Sequence, residues 1–254
     1  FAVNRSKEVV WQWNATERYD RPDGMGPEGD WTHMNDVDRV GPDTFRVSLR
    51  NFDTVVDLHV ERNASGGNAA VRVDPVVGPD DFHERGDVLH EQHNPDTLDD
   101  GTLLVADSEN DRVVELNATT GAVEWEYGGS ATFDWPRDAD RLANGHTLVA
   151  DSYNDRVVEV DENGDVVWAL KTGALPYEVD RLPGEGSDGP TAREAGLPNR
   201  TSDAGVVRER AAWAVSMVKY VAPDRIAEQS FVVAAGLLAL LGAGVERWRA
   251  SRRE

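Results

Sequence analysis

The sequence predicts an all-β fold, a β-propeller, followed by a C-terminal helical region with a transmembrane helix. Three observations carry this. Residues 101–116 read GTLLVADSENDRVVEL and residues 145–160 read GHTLVADSYNDRVVEV, with Ala106-Asp107 and Ala150-Asp151 set 44 residues apart. A period of that length belongs to solenoids, propellers and arrays. Within the second copy, residues 138–142, 147–151, 156–161 and 166–170 are short β-branched or alternating runs separated by Ala-Asn-Gly, Tyr-Asn-Asp and Glu-Asn-Gly. Runs so bounded read as strands, and four of them in about 44 residues make one propeller blade. No sustained 3.6-residue period runs through residues 101–170, which argues against a helical repeat.

In chain order, residues 1–13 read as the end of a repeat, because Val9-Val10-Trp11 matches the Trp-bearing runs that close at Trp125 and Trp168. The chain opens on Phe1 in mid-pattern, so a fragment or processed chain is expected, with preceding blades closing a ring of roughly four to eight. Residues 18–30 are a Gly/Pro/Asp loop. Residues 43–58, DTFRVSLRNFDTVVDL, align with 101–116 without a gap, and 68–77 supply that repeat's last strand. Residues 79–86 form a polar linker.

The opening strands give a second register. Asn35 to Val40, His93 to Leu98, Arg137 to Leu142 and Tyr177 to Leu182 fall into line. After the last of these the pattern fails, and no second strand is expected in 183–203. About three and a half blades over residues 1–182 are therefore expected, then an acidic Gly/Pro linker over 183–205.

Residues 206–222 read as an amphipathic helix. Residues 231–245 are uncharged and apolar, and with polar and snorkelling flanks the run 229–248 approaches the length of a membrane span. The tail 249–254 is basic in an otherwise acidic chain, which by the positive-inside rule places it in the cytoplasm and the propeller outside the cell. The alternative is a helix buried against the propeller.

Acid dominates the composition: 47 Asp and Glu against 26 Lys and Arg, net charge -21, with three lysines. Nucleic acid is excluded as a partner, since phosphate contacts need a basic face. A salt-adapted, halophilic chain is expected, because molar salt cuts the screening length to about 3 Å and makes such self-repulsion tolerable. With no cysteine there are no disulfides, thiolate metal sites or cysteine nucleophiles. Four sequons, at Asn14, Asn63, Asn117 and Asn199, are candidate glycosylation sites and agree with an outward-facing domain.

The opening strand of each propeller blade lines the central channel. Asn35, His93, Arg137 and Tyr177 should therefore face one space, with Asn94 and Asp138 beside them and His33 and His90 just upstream. Imidazole near guanidinium suits an anionic substrate, the first as nucleophile or acid/base and the second as an oxyanion clamp. The Asp107, Asp111, Asp151 and Asp155 carboxylates have the look of a calcium site, but their D-S-x-N-D spacing serves turn geometry, so no metal is expected.

A polar residue before D-A-D, then L-x-N-G-x-T-L-V-A-D-S-x-N-x-R-V-V-E-V, resembles the arylsulfotransferase family in its haloarchaeal, membrane-anchored form, over roughly residues 1–199. The resemblance implies a propeller that is six-bladed when complete, and sulfuryl transfer from an aryl sulfate to a phenol through a transiently sulfated channel histidine, without a nucleotide donor or other cofactor. It implies His93 as nucleophile, His33 and His90 as partners and Arg137 as the clamp. The sequence departs where Arg137-Asp138 and Tyr177-Glu178 replace a His-Asp pair. The stretch from Asn117 to Trp125 also resembles the tryptophan-docking segment of quinoprotein propellers, in which the Trp packs between blades. The non-enzymatic alternative is a surface propeller that binds a protein, glycan or cation.

Overall fold

The computed structural model describes residues 1–23, 29–61, 70–78, 88–98, 101–182 and 187–203. A short antiparallel hairpin of β1 (Ala2–Val3) and β2 (Val9–Trp11) opens it. Three sheets follow. The first holds β3 (Met34–Gly41), β4 (Thr44–Leu49), β5 (Thr54–Glu61) and β6 (Ala70–Val77). The second holds β7 (His93–Thr97), β8 (Thr102–Asp107), β9 (Arg112–Asn117) and β10 (Val123–Gly128). The third holds β11 (Pro136–Arg141), β12 (Thr147–Asp151), β13 (Arg156–Val160) and β14 (Val166–Lys171). Each is an antiparallel meander in sequence order, and the set is consistent with part of a β-propeller.

The strands expected in the second clear repeat fall on β11 to β14 to within two residues at every end. The residues after it behave differently. Residues 177–182 form no ladder: the Val179 N–H is taken by Asp138 Oδ2 at 2.6 Å, and the Pro176 carbonyl accepts from Ser152 Oγ at 2.6 Å. Side chains of the third sheet thus hold this segment in place of a neighbouring strand. The stretch expected as a linker carries structure too. Helix α1 (Ala192–Ala195) is closed by a Thr191–Glu194 capping box, and β15 (Arg200–Thr201) pairs parallel with β10 as a fifth strand of the second sheet. The amphipathic helix 206–222, the span 229–248 and the tail 249–254 lie outside the described residues. Among the described residues no helix is long and apolar enough to cross a membrane.

The core sits between sheets. Val55 and Val77 of the first sheet pack with Leu103, Val105, Val114 and Leu116 of the second. Trp125 and Tyr127 of the second pack with Ala139, Val149, Val158 and Val160 of the third. Strands β8 and β12 are buried along their whole length, which is why they read as near-continuous apolar runs. Trp125 is 4% exposed, whereas its repeat equivalent Trp168, on the far face of the third sheet, is 44% exposed. At the turn between β13 and β14, Gly164 takes a left-handed φ of 77°, and a Cβ there would meet Tyr127 at 3.1 Å.

A buried ion pair ties the C-terminal segment down. Arg141 Nη2 lies 3.0 Å from Glu115 Oε1, both fully buried, and Glu115 accepts the Ala192 N–H at 2.7 Å. Gly189 donates its N–H to the Arg141 carbonyl at 2.9 Å. A Cβ at Gly189 would come within 2.1 Å of the Leu142 carbonyl oxygen, so only glycine permits this crossing.

The D-S-x-N-D motif is the joint between sheets. Its first aspartate closes its own sheet: Asp107 accepts from His90 N at 2.8 Å, Asn110 Nδ2 at 2.9 Å and Arg112 Nε at 2.8 Å. Asp151 likewise accepts from Asp134 N, Asn154 and Arg156. Its last aspartate has a left-handed φ (54° at Asp53, 53° at Asp111, 51° at Asp155), a conformation that Asp tolerates. From there Asp53 Oδ1 accepts the Glu91 N–H at 2.7 Å and Asp111 Oδ1 the Trp135 N–H at 2.9 Å. Ser108 Oγ donates to the Pro136 carbonyl at 2.7 Å, repeating the Ser152–Pro176 bond one sheet earlier. The motif's carboxylates are thus satisfied by main-chain N–H, amide and guanidinium groups.

Replacing the buried Asp151 by Ala should cost about 3 kcal/mol, because it strands a half-buried guanidinium, an amide and a main-chain N–H. Replacing the exposed Asp165 by Ala should stay within about 0.5 kcal/mol. Urea unfolding midpoints of the two variants check both values.

Candidate functional site

Strand β7 lies between β3 and β11, and the segment through Tyr177 closes a fourth side. The residue two places before each of Asn35, His93 and Arg137 carries a left-handed φ: His33 (44°), Glu91 (49°) and Trp135 (56°). The joint aspartates hold the last two of these by their N–H groups, and so set where the next side chain points.

The four column residues meet as the register requires. Tyr177 Oη donates to the Asn35 carbonyl at 3.2 Å, and Asn35 Nδ2 donates to the Gln92 carbonyl at 2.8 Å. The His93 ring lies edge-on to Tyr177 (5.7 Å between centres) and to Trp135 (5.4 Å). The Arg137 guanidinium carbon sits 4.0 Å from the Trp135 ring centre and 5.0 Å from that of Tyr177, close enough for cation–π attraction. Arg50 approaches Trp135 at 6.0 Å and is paired with Glu91. Trp135 itself stacks on Tyr153 at 4.4 Å and donates Nε1 to Glu109.

His93 is 2% exposed. Burial, then the Arg50 and Arg137 charges, push its pKa down to about 3, against an opposing hydrogen bond with the Glu91 main chain, so the imidazole is neutral. Its tautomer follows from Ser108. Nδ1 lies 2.7 Å from Ser108 Oγ, and that hydroxyl is also 2.7 Å from the Pro136 carbonyl, which can only accept. The serine proton therefore goes to Pro136, His93 Nδ1 is the donor to Ser108, and Nε2 carries the lone pair.

Beside this cationic, aromatic mouth the same strands carry acid. Asp36 and Asp38 on β3, Asp96 on β7, Asp138 and Asp140 on β11, and Glu178 act on one another's charge. Burial first, and the neighbouring carboxylates next, push Asp36 up to about 7 and Asp138 and Asp140 up to about 8. Hydrogen bonds from Val179 N and Asn94 pull Asp138 the other way. Among the described residues no three carboxylates or imidazoles converge as metal ligands.

The remaining predicted residues divide. His33 is half-exposed, bonds to Asp30 at 2.8 Å and lies near enough to act on His93. His90 gives its main-chain N–H to Asp107 and belongs to the joint. Asn94 bonds to Asp138. Among the sequons, Asn14 and Asn199 are exposed, Asn117 is half-buried and bonds to Glu124, Thr119 and Thr120, and Asn63 lies outside the described residues. Sequence reasoning missed Arg50, Ser108 and Trp135. Arg50 had a signal: in the gapless alignment it occupies the position of Ser108, where the first repeat departs from the motif.

Residues 54–192 match the family PQQ_2, described as outer membrane protein assembly factor BamB. That is more than half of the chain, which therefore belongs to this propeller-repeat family. Similar solved structures include virginiamycin B lyase from Staphylococcus aureus, at 8% identity and TM-score 0.38 over 58% of this chain and 45% of that one. Pseudomonas aeruginosa periplasmic gluconolactonase PpgL matches at 16% identity and TM-score 0.38, over 61% and 42%. A protein of unknown function from Bacteroides caccae matches at 19% and 0.35, over 54% and 46%. The chain spans less than half of each. No curated protein matches it.

The acid cluster ties stability to pH. A carboxylate whose pKa is raised on folding stabilises the fold while protonated and stops doing so as pH rises through the folded value. Asp36, Asp111, Asp138 and Asp140 all lie near 7 to 8 in the fold against an ordinary 3.8. His93, depressed below its ordinary 6.5, works the opposite way but only below that pH. The melting temperature at low salt should therefore fall between pH 6.5 and 9, which a thermal scan series checks.

Proposed function

We propose that this chain binds an aryl sulfate at the mouth formed by Trp135, Tyr177, Arg137 and Arg50, and passes its sulfuryl group through His93 to a phenolic acceptor. The observation that carries the reading is the state of His93: neutral, Nδ1 fixed by Ser108, between two arginines and two aromatic rings. Aromatic faces suit the aryl group and guanidinium suits the sulfate oxygens. In the first step the Nε2 lone pair attacks sulfur, the S–O(aryl) bond breaks and phenoxide leaves, with the new N–S bond on an imidazolium that keeps its Nδ1 proton on Ser108. In the second, the acceptor oxygen attacks sulfur, the S–N bond breaks and the acceptor's proton goes to the departed phenoxide. Fixed positive charge at the oxygens stabilises both transfers without reorganisation.

The anchoring of the chain to a membrane by 229–248, the outward orientation of the propeller, the halophilic habit and glycosylation at the sequons belong to the same proposal. A second reading, a non-catalytic surface propeller that binds its ligand at this mouth, draws on the burial of His93 beneath Trp135 and Tyr177.

The full chain in high salt, given 4-nitrophenyl sulfate and phenol, should release 4-nitrophenol and sulfate the phenol. His93→Ala should reduce release to background, and Arg137→Ala should slow it about 10²-fold, the usual loss of one transition-state charge donor. Release that survives His93→Ala would overturn the assignment. Saturable binding of the aryl sulfate with no release would favour the non-catalytic reading.

A further inference from the structure

In each meander the last strand lies outermost: β6, β10 and β14. A bare outer edge offers main-chain N–H and C=O groups to any extended chain, and native proteins block or cover it. The repeat makes the three edges comparable position by position. Pro75 on β6, Glu126 on β10 and Ala169 on β14 pair with Val56, Val114 and Val158, which occupy one place in the repeat.

That place is treated in three ways. On β10 the Glu126 N–H points out of the sheet and donates to Asn199 Oδ1 at 3.1 Å. There β15 extends the sheet in parallel, with Arg200 opposite Tyr127 and Thr201 opposite Gly128, and the Trp125 indole N–H donates to the Pro198 carbonyl at 3.0 Å. On β6 the same place is proline, which has no N–H to offer, and the charged Arg72 and Asp74 precede it. On β14 neither device is present. Ala169 keeps an N–H that faces outward by the same register, and among the described residues no strand lies beyond it. All six residues of β14 are exposed, and four of them are Val166, Val167, Trp168 and Leu170. Leu170 is 51% exposed, whereas its equivalent Tyr127, beneath β15, is 5% exposed.

We infer that the outer edge of β14 docks an extended segment of another protein chain, laid parallel to the strand as β15 lies on β10. The segment carries a proline whose carbonyl takes the Trp168 indole N–H, then an asparagine for the Ala169 N–H, then a basic residue. Main-chain pairing supplies the affinity of such strand addition, and the flanking side chains set its register. A net charge of -21 favours a basic segment and opposes a second copy of this chain, whose own residues 198–201 are already engaged on β10. No residue of the candidate site takes part, so the docking edge stands or falls apart from sulfuryl transfer.

Titration of the full chain at low NaCl with a synthetic peptide of its own residues 197–203, Leu-Pro-Asn-Arg-Thr-Ser-Asp, tests the edge, with amide hydrogen exchange read residue by residue. Saturable binding is expected, with exchange slowed over Val166–Lys171 and unchanged over Val123–Gly128. Ala169→Pro, which copies the block on β6, should weaken binding about tenfold, near the worth of one main-chain hydrogen bond. Leu170→Lys, which leaves the main chain intact, should weaken it by a similar factor, and so should a peptide with glutamate in place of its arginine. Binding that leaves exchange over Val166–Lys171 unchanged, or an affinity equal in both variants to that of the parent chain, would overturn the site. So would an Ala169 amide already as protected as that of Glu126 without peptide: at every concentration this marks the chain's own residues 204–254 as the occupant, and only at high concentration a second copy.

Discussion

The carboxylates of Asp53 and Asp111 sit on left-handed residues and accept the N–H groups of Glu91 and Trp135, the residues that lead into the next sheet. Everything functional hangs from those two bonds. Each fixes a second left-handed residue, and two positions later comes a side chain of the candidate site: His93 in one case, Arg137 in the other. Ser108 adds a bond to the Pro136 carbonyl and, with its remaining lone pairs, orients His93. A turn motif that packs one sheet against the next is thereby also the support of the candidate nucleophile. Such burial of carboxylates is tolerable because the most deeply buried two, Asp107 and Asp151, each meet main-chain, amide and guanidinium donors.

Burial also explains why the candidate site has two electrical characters. Near Trp135 and Tyr177 it collects Arg50 and Arg137, and the same desolvation that lifts Asp138 keeps His93 neutral. A neutral imidazole between guanidinium groups can attack an anion that a charged one could only attract. On the acidic side, like charges brought out of water cannot all remain ionised, so protons or cations must share the space. In a chain of net charge -21 this is a local concentration of a global property.

Much of the fold was legible. The 44-residue period, the turn residues and the alternating runs placed β11 to β14 almost residue for residue. The column of Asn35, His93, Arg137 and Tyr177 was legible too, because a gapless repeat carries three-dimensional register. Tyr177 entered that column without the expected strand, since side-chain bonds from Asp138 and Ser152 hold its segment instead of a ladder. Helix α1 and β15 were hidden because their stability lies in tertiary bonds, from Glu115 to Ala192 and from β10 to β15, with no local periodicity to announce them. Arg50 was visible only as a break in the repeat. Ser108 was the reverse case: it looked like turn chemistry in both copies, and it is turn chemistry, yet in one copy the same hydroxyl also meets a histidine.

The protonation state and tautomer of His93 condense the account into one quantity. Nitrogen-15 NMR of the full chain, with histidines labelled and His93 assigned by its absence in His93→Ala, reads it directly. The structure requires a neutral ring with the proton on Nδ1 from pH 5 to pH 8, and a change of that pattern in Ser108→Ala. A His93 that titrates near 6.5, or that carries its proton on Nε2, would contradict the link between the sheet joint and the site.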